Sequence, residues 1–277
     1  MIRLLQIEFI KLWNNRASKV LIISYFVLLT SIALVAAIKF DIGPVKFHLA
    51  EQGIFNFPYI WHFNTFITAF FKLFLAIVIV SMMANEYSNK TIKQNLIDGL
   101  SKKEFVLSKF LTVLSFSVIS TIFVFVVSLI LGLIYSDYNE FSIIFSDLEY
   151  LLAYFVKLTG FFSFCLFLGI LVKRSAFALG FLILWQVFEG FVRGMIRWKL
   201  FDGETTDRIM GFFPLNSMWN LLKEPFTRLG AVKSVANQIG EDFNFDYAVH
   251  WYEILIVLAW TAIFIYSSYA LLKKRDL

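Results

Sequence analysis

Long apolar runs alternate with short polar ones along this chain, and the runs match the thickness of a bilayer. Val20–Ile38, Phe63–Ala84, Leu111–Tyr135, Leu151–Val172, Phe177–Ile196 and Trp251–Leu272 are each largely apolar. About 20 such residues let a helix cross the hydrocarbon core. Helices are expected rather than strands, because an open strand leaves its backbone groups unsatisfied in lipid. Pro44, Pro58, Pro214 and Pro225 all fall outside these runs, so no proline breaks a span. Composition agrees: 59% of the 277 residues are hydrophobic and 16% charged, against about 45–50% and about 25% in soluble domains. Mean hydropathy is +0.74. The expected fold is an all-α integral membrane protein, one transmembrane domain over residues 1–277 with six spans.

Basic residues orient the spans. With both termini in the cytoplasm, the inner segments hold Arg3, Lys11, Arg16 and Lys19, then Lys90, Lys93, Lys102, Lys103 and Lys109, then Lys173 and Arg174, and finally Lys273, Lys274 and Arg275. The short outer loops hold only Lys39 and Lys46, and Ser136–Tyr150 has four acids and no base. An excess of bases in short inner loops is the usual arrangement. Tyr59, Trp61, Tyr135, Tyr150, Trp198, Trp251 and Tyr252 then mark an outer aromatic belt. The N-terminus is charged up to Lys19 and leads into a full-length span, unlike a cleavable signal peptide. Cys165 is the only cysteine, so no internal disulfide forms.

Two segments outside the spans are amphipathic or apolar. In 1–17, Ile2, Leu5, Phe9, Leu12 and Trp13 recur at helical spacing, so this helix is expected to lie in the inner interface; the alternative is a plain extension of the first span. The outer loop 197–250 contains "GFFPLNSMWNLL", too short to span and too apolar to be solvated. It is expected to be a short helix dipping into the outer leaflet or packed on the other helices; the alternative is an ordinary surface helix.

Between the second and third spans, on the inner side, runs "NEYSNKTIKQNLIDGLSKKEFVLSKF" over 85–110. A short helix over "TIKQNLIDG" is expected to stop at Gly99 in the left-handed C′ position. Ser101 then caps the next helix, with Glu104 at the capping-box position. Ile92, Leu96 and Ile97 give the short helix an apolar side that needs something to pack on.

This stretch resembles the cytoplasmic signature of type 2 ABC exporter permeases, the six-span membrane subunits of ABC transporters. Glu86, Tyr87, Thr91, Ser101, Glu104 and Lys109 stand at the matching places; "DGL" stands where that family often has proline. The N-terminal helix resembles the family's elbow helix, and "PLNSMWNLL" its outer re-entrant region. The resemblance implies that 85–108 is a coupling segment docking on a separate ATPase, with Ile92, Leu96 and Ile97 as anchor and Lys90, Lys93, Lys102 and Lys103 orienting it by charge. It further implies a second permease subunit, identical or related, two ATPases carrying ATP and magnesium, a bacterial cytoplasmic membrane, and an exported cargo. The alternative is that the lysines are ordinary inner charges and the apolar side packs on the chain's own helices. No glycine precedes a lysine, so the chain lacks a phosphate-binding loop. His48, His62 and His250 are scattered, with no metalloprotease motif. The chain is therefore expected to be a transport subunit without enzymatic activity, cofactor or nucleic-acid partner of its own.

Four ionisable residues fall within the spans: Lys72, Lys157, Glu189 and Arg193. Such residues normally face a partner, a cavity or water. Glu189 and Arg193, four apart, share a helix face and are placed to pair; Gln186 extends the same stripe. Gly190 and Gly194 hint at close helix packing. These residues line a translocation path or dimer seam, or they form struts such as a Lys157–Glu189 ion pair. A second functional class is an ion- or proton-coupled secondary transporter using Lys72, Lys157 and Glu189, but no internal repeat is seen and no proline interrupts a span.

Overall fold

In a computed structural model the described residues are 2–37, 39–42, 45–48, 53–138, 140–199, 202–228 and 246–275, of which 32–37, 39–42, 45–48 and 199 are described by backbone alone. Five helical stretches among them are long and apolar enough to cross a membrane, as expected of an all-α multi-pass membrane protein: Tyr59–Ser88, Lys102–Tyr135, Phe141–Val172, Ser175–Trp198 and Trp251–Lys274. The sixth expected span falls on a 22-residue helix, Arg16–Ala37.

The chain opens with α1 (Ile2–Asn14) and α2 (Arg16–Ala37). The break comes at Asn15, whose Oδ1 accepts from the Ser18 amide at 3.1 Å and so caps α2. An antiparallel ladder follows, β1 (Lys39–Ile42) with β2 (Val45–His48), a small departure from an all-helical chain. Next come α3 (Tyr59–Thr68), a 3₁₀ turn over Ala69–Phe71, and α4 (Lys72–Ser88). The second span is thus one helical stretch that tightens into a 3₁₀ turn at its middle, with no proline in it. Thr65 and Thr68 each turn their hydroxyls onto the carbonyl one turn back, at 2.6 and 2.7 Å, which bends helices.

The short α5 (Thr91–Ile97) leads to α6 (Lys102–Tyr135), a single helix of 34 residues. The rest of the chain comprises α7 (Phe141–Ile144), α8 (Glu149–Val172), α9 (Ser175–Lys199), α10 (Gly203–Met210), α11 (Pro214–Asn220) and α12 (Trp251–Lys274). The pillar is α8: 78% of an apolar 18-residue window of its stretch is buried, against 17% for that of α9 and 22% for that of α12. It packs on α12, α4, α6 and α9. At the α8–α12 crossing a Cβ on Gly160 would sit 2.7 Å from Val257 Cγ1, so only glycine allows this approach. Gly190 and Gly194 face open space: among the described residues, no neighbour lies within 4 Å of a Cβ built there.

Candidate functional site

The polar connector between α4 and α6 has the predicted local form. At the end of α5, Gly99 has φ +98°. The Leu100 amide reaches Asn95 O at 3.0 Å and the Gly99 amide reaches Leu96 O at 3.2 Å, which satisfies the last carbonyls in a Schellman motif. At the start of α6 the Glu104 amide donates to Ser101 Oγ at 3.2 Å, and the Ser101 amide donates to the Glu104 carboxylate at 3.0 Å, completing the capping box.

The apolar side of α5 divides. Ile92 is buried in the protein's own core and Leu96 packs partly against it, whereas Ile97 is 75% exposed. The expected three-residue anchor thus shrinks to Ile97, flanked by exposed Lys90, Lys93 and Lys103. Lys102 turns elsewhere: its ammonium donates to Arg275 O at 2.9 Å and Lys273 O at 3.3 Å. It caps the end of α12.

Behind α5 lies a buried ion cluster. Lys109 is fully buried and donates to Glu8 and to Glu86, each at 2.6 Å. Lys11 reaches Glu86 at 2.9 Å, and the Thr91 hydroxyl also donates to the Glu86 carboxylate. Burial opposes the charge on Lys11, but the carboxylates of Glu8 and Glu86 overcome it and raise its pKa above the usual lysine value. Two acids and two bases so join α1, α4, α5 and α6. A second tie runs through Arg275, which donates to Leu171 O at 2.9 Å, to Ile170 O, and to the Tyr87 hydroxyl at 3.2 Å. Both ends of the described chain therefore lie on the connector's side of the bundle. Of these groups Lys109, Glu86, Tyr87 and Thr91 stand out in the sequence. Glu8 and Arg275 do not, because their partners lie about a hundred or more residues away and leave no local trace.

The intramembrane residues separate into two groups. Lys72, Lys157 and Gln186 line one cavity of about 310 Å³ between α3–α4, α8, α9 and α11. The Lys72 ammonium lies 4.3 Å from the Phe161 ring centre and that of Lys157 5.3 Å from the Trp219 ring. Among the described residues neither lysine has a carboxylate partner, so the anticipated Lys157–Glu189 strut is absent.

Glu189 and Arg193 do not pair with each other either. Buried Glu189 accepts from the Leu215 amide at 3.0 Å, the Asn216 amide at 2.8 Å and Trp185 Nε1 at 2.7 Å. It supplies the negative charge that a helix N-terminus prefers, here that of α11, which begins at Pro214. Arg193 bridges to Asp207 of α10 at 2.6 Å. Leu215 and Met218 of α11 are buried, and Trp260 Nε1 holds the preceding Phe212 carbonyl at 2.8 Å. The apolar segment around α11 is thus packed on the other helices.

The family model described as "Protein of unknown function (DUF2705)" matches residues 26–277. The chain belongs to the DUF2705 family. No curated protein matches it. The part shared with DUF2705 includes the connector, the two-lysine cavity and the Glu189 cap, while α1, which supplies Glu8 and Lys11, lies outside it. For this DUF2705 member, Glu189→Gln is expected to keep the side chain's shape but lose the charge facing α11, at about 1–3 kcal/mol. Backbone hydrogen exchange over 214–222 should then accelerate; unchanged exchange there would refute the role.

Proposed function

We propose that this chain is the membrane subunit of an ATP-driven transporter and that its connector is the surface on which a separate ATPase subunit docks. The observation that carries this reading is the contrast within the connector. One side of α5 is locked to the bundle by Ile92, Thr91 and the Lys109 cluster. The other presents a lone apolar residue, Ile97, among lysines. A rigidly mounted, partly apolar, basic knob is what a mechanical coupling needs: it grips a partner and cannot move without moving α1, α4 and α6.

Topology supports the reading. Among the described residues, Lys11 and Arg275 both bond to the connector's end of the bundle, which agrees with an even number of crossings, six if α2 is counted with the five apolar helices. The excess of bases on the connector's side supports a cytoplasmic position for it, and by the family resemblance the membrane is bacterial and α1 is the elbow along the inner interface. A second copy or a relative completes the pathway, ATP and magnesium are held by the ATPase, and export is the direction implied by the resemblance. The secondary-transporter reading loses its carboxylate, since Glu189 is committed to α11.

The test is a photo-reactive residue at position 93, on the exposed side of α5, with position 212 on the opposite side as control. Adducts with a protein containing a phosphate-binding loop are expected from 93 and not from 212. Labelling of Lys93→Cys by an impermeant maleimide added outside intact cells, or no foreign adduct at 93, would overturn the proposal.

A further inference from the structure

The cavity holding Lys72 and Lys157 has a charge problem that its own walls do not solve. Lys157 is 2% exposed. Among the described residues the only hydrogen bond from either ammonium is that of Lys157 to the Trp219 carbonyl, at 3.5 Å. Aromatic faces soften a cation but do not cancel it. Two lysine amines therefore converge on an apolar cavity whose other lining residues offer little polarity beyond the Gln186 amide. Phe70, Leu73, Ile183 and Val187 line this cavity and are each about half or more exposed on the bundle's flank, so it opens sideways, toward the layer where acyl chains lie.

We propose that this cavity binds an amphiphile with a compact anionic head, carboxylate or phosphate, whose apolar chain enters from the bilayer between α4 and α9. An anion placed between the two lysines favours the protonated form of both and accepts a charge-assisted hydrogen bond from each. The volume of about 310 Å³ is at the low end for ligand pockets. It accommodates a head and the first part of a chain, with the remainder lying along Ile183 and Val187. This inference concerns binding alone and stands whether or not an ATPase drives the chain.

Purified full-length protein in neutral detergent should bind oleoyl lysophosphatidate about tenfold or more tightly than lysophosphatidylcholine of the same chain. Palmitate should compete, and millimolar inorganic phosphate should not. Lys157→Gln and Lys72→Gln are each expected to remove the preference for the anionic head. Val187→Trp keeps both lysines, changes an exposed wall position and should block the cavity, so it decides the matter if a lysine variant fails to fold. Equal affinity for the two lysolipids would overturn the proposal. So would a preference that survives Lys157→Gln, or binding that survives Val187→Trp. Competition by inorganic phosphate at the same concentrations would make this a site for water-borne anions and overturn it as well.

Discussion

Lys109→Met is expected to prevent the folded protein from accumulating. Lys109 is fully buried, and its ammonium is the shared partner of Glu8 and Glu86. Removing it leaves two buried carboxylates facing Lys11, which is 41% exposed and lies 3.8 Å from Glu8. Breaking a buried pair by deleting one partner costs about 3–5 kcal/mol, a large share of the roughly 5–15 kcal/mol by which a domain is stable. The loss should appear as aggregation on size exclusion in detergent and a much lower thermal midpoint. Replacing both acids as well, in Lys109→Met with Glu8→Leu and Glu86→Met, should restore much of the stability, because apolar packing commonly substitutes for a buried ion group. Wild-type stability in the single variant would show that the cluster does not hold α1, α4 and α6 together. A triple variant that is stable yet inactive would separate holding the fold from transmitting motion.

What was legible in the sequence is the part governed by neighbours along the chain. Apolar runs located the five described spans, Gly99 ended α5, and Ser101 with Glu104 began α6, because each signal acts over about one helical turn. Tertiary partners erased the readings that extrapolated from a single helix. Glu189 and Arg193 are correctly spaced for each other, but the amides at the start of α11 and the carboxylate of Asp207 offered each a better partner. The 3₁₀ turn before Lys72 follows Thr65 and Thr68, whose hydroxyls bond carbonyls one turn back and which read as small polar residues in a greasy run. The apolar side of α5 was misread in a simpler way. At about 100° per residue, Leu96 lies about 40° from Ile92 but Ile97 about 140° away. Ile92 and Ile97 were therefore never on one stripe.

That angular separation gives the sharpest test of the coupling proposal, because two isoleucines five apart on one short helix should fail differently. Ile92 is 2% exposed. Ile92→Asp would bury a carboxylate with no partner, at a cost of several kcal/mol, and the protein should misassemble. Ile97 is 75% exposed, so Ile97→Asp should change the thermal midpoint by no more than about 0.5 kcal/mol equivalent. Yet it places a charge at the centre of the proposed docking surface, where an apolar anchor is expected to dominate the binding energy. Ile97→Asp should therefore abolish the photo-adduct at position 93 and the transport that depends on it, with the membrane protein itself intact. Lys93→Glu, at the rim, should act mainly on the association rate and be partly masked by salt. If Ile97→Asp leaves partner capture unchanged while Ile92→Asp abolishes it only through misfolding, α5 is a structural brace closing the underside of the bundle, and the energy source must attach elsewhere.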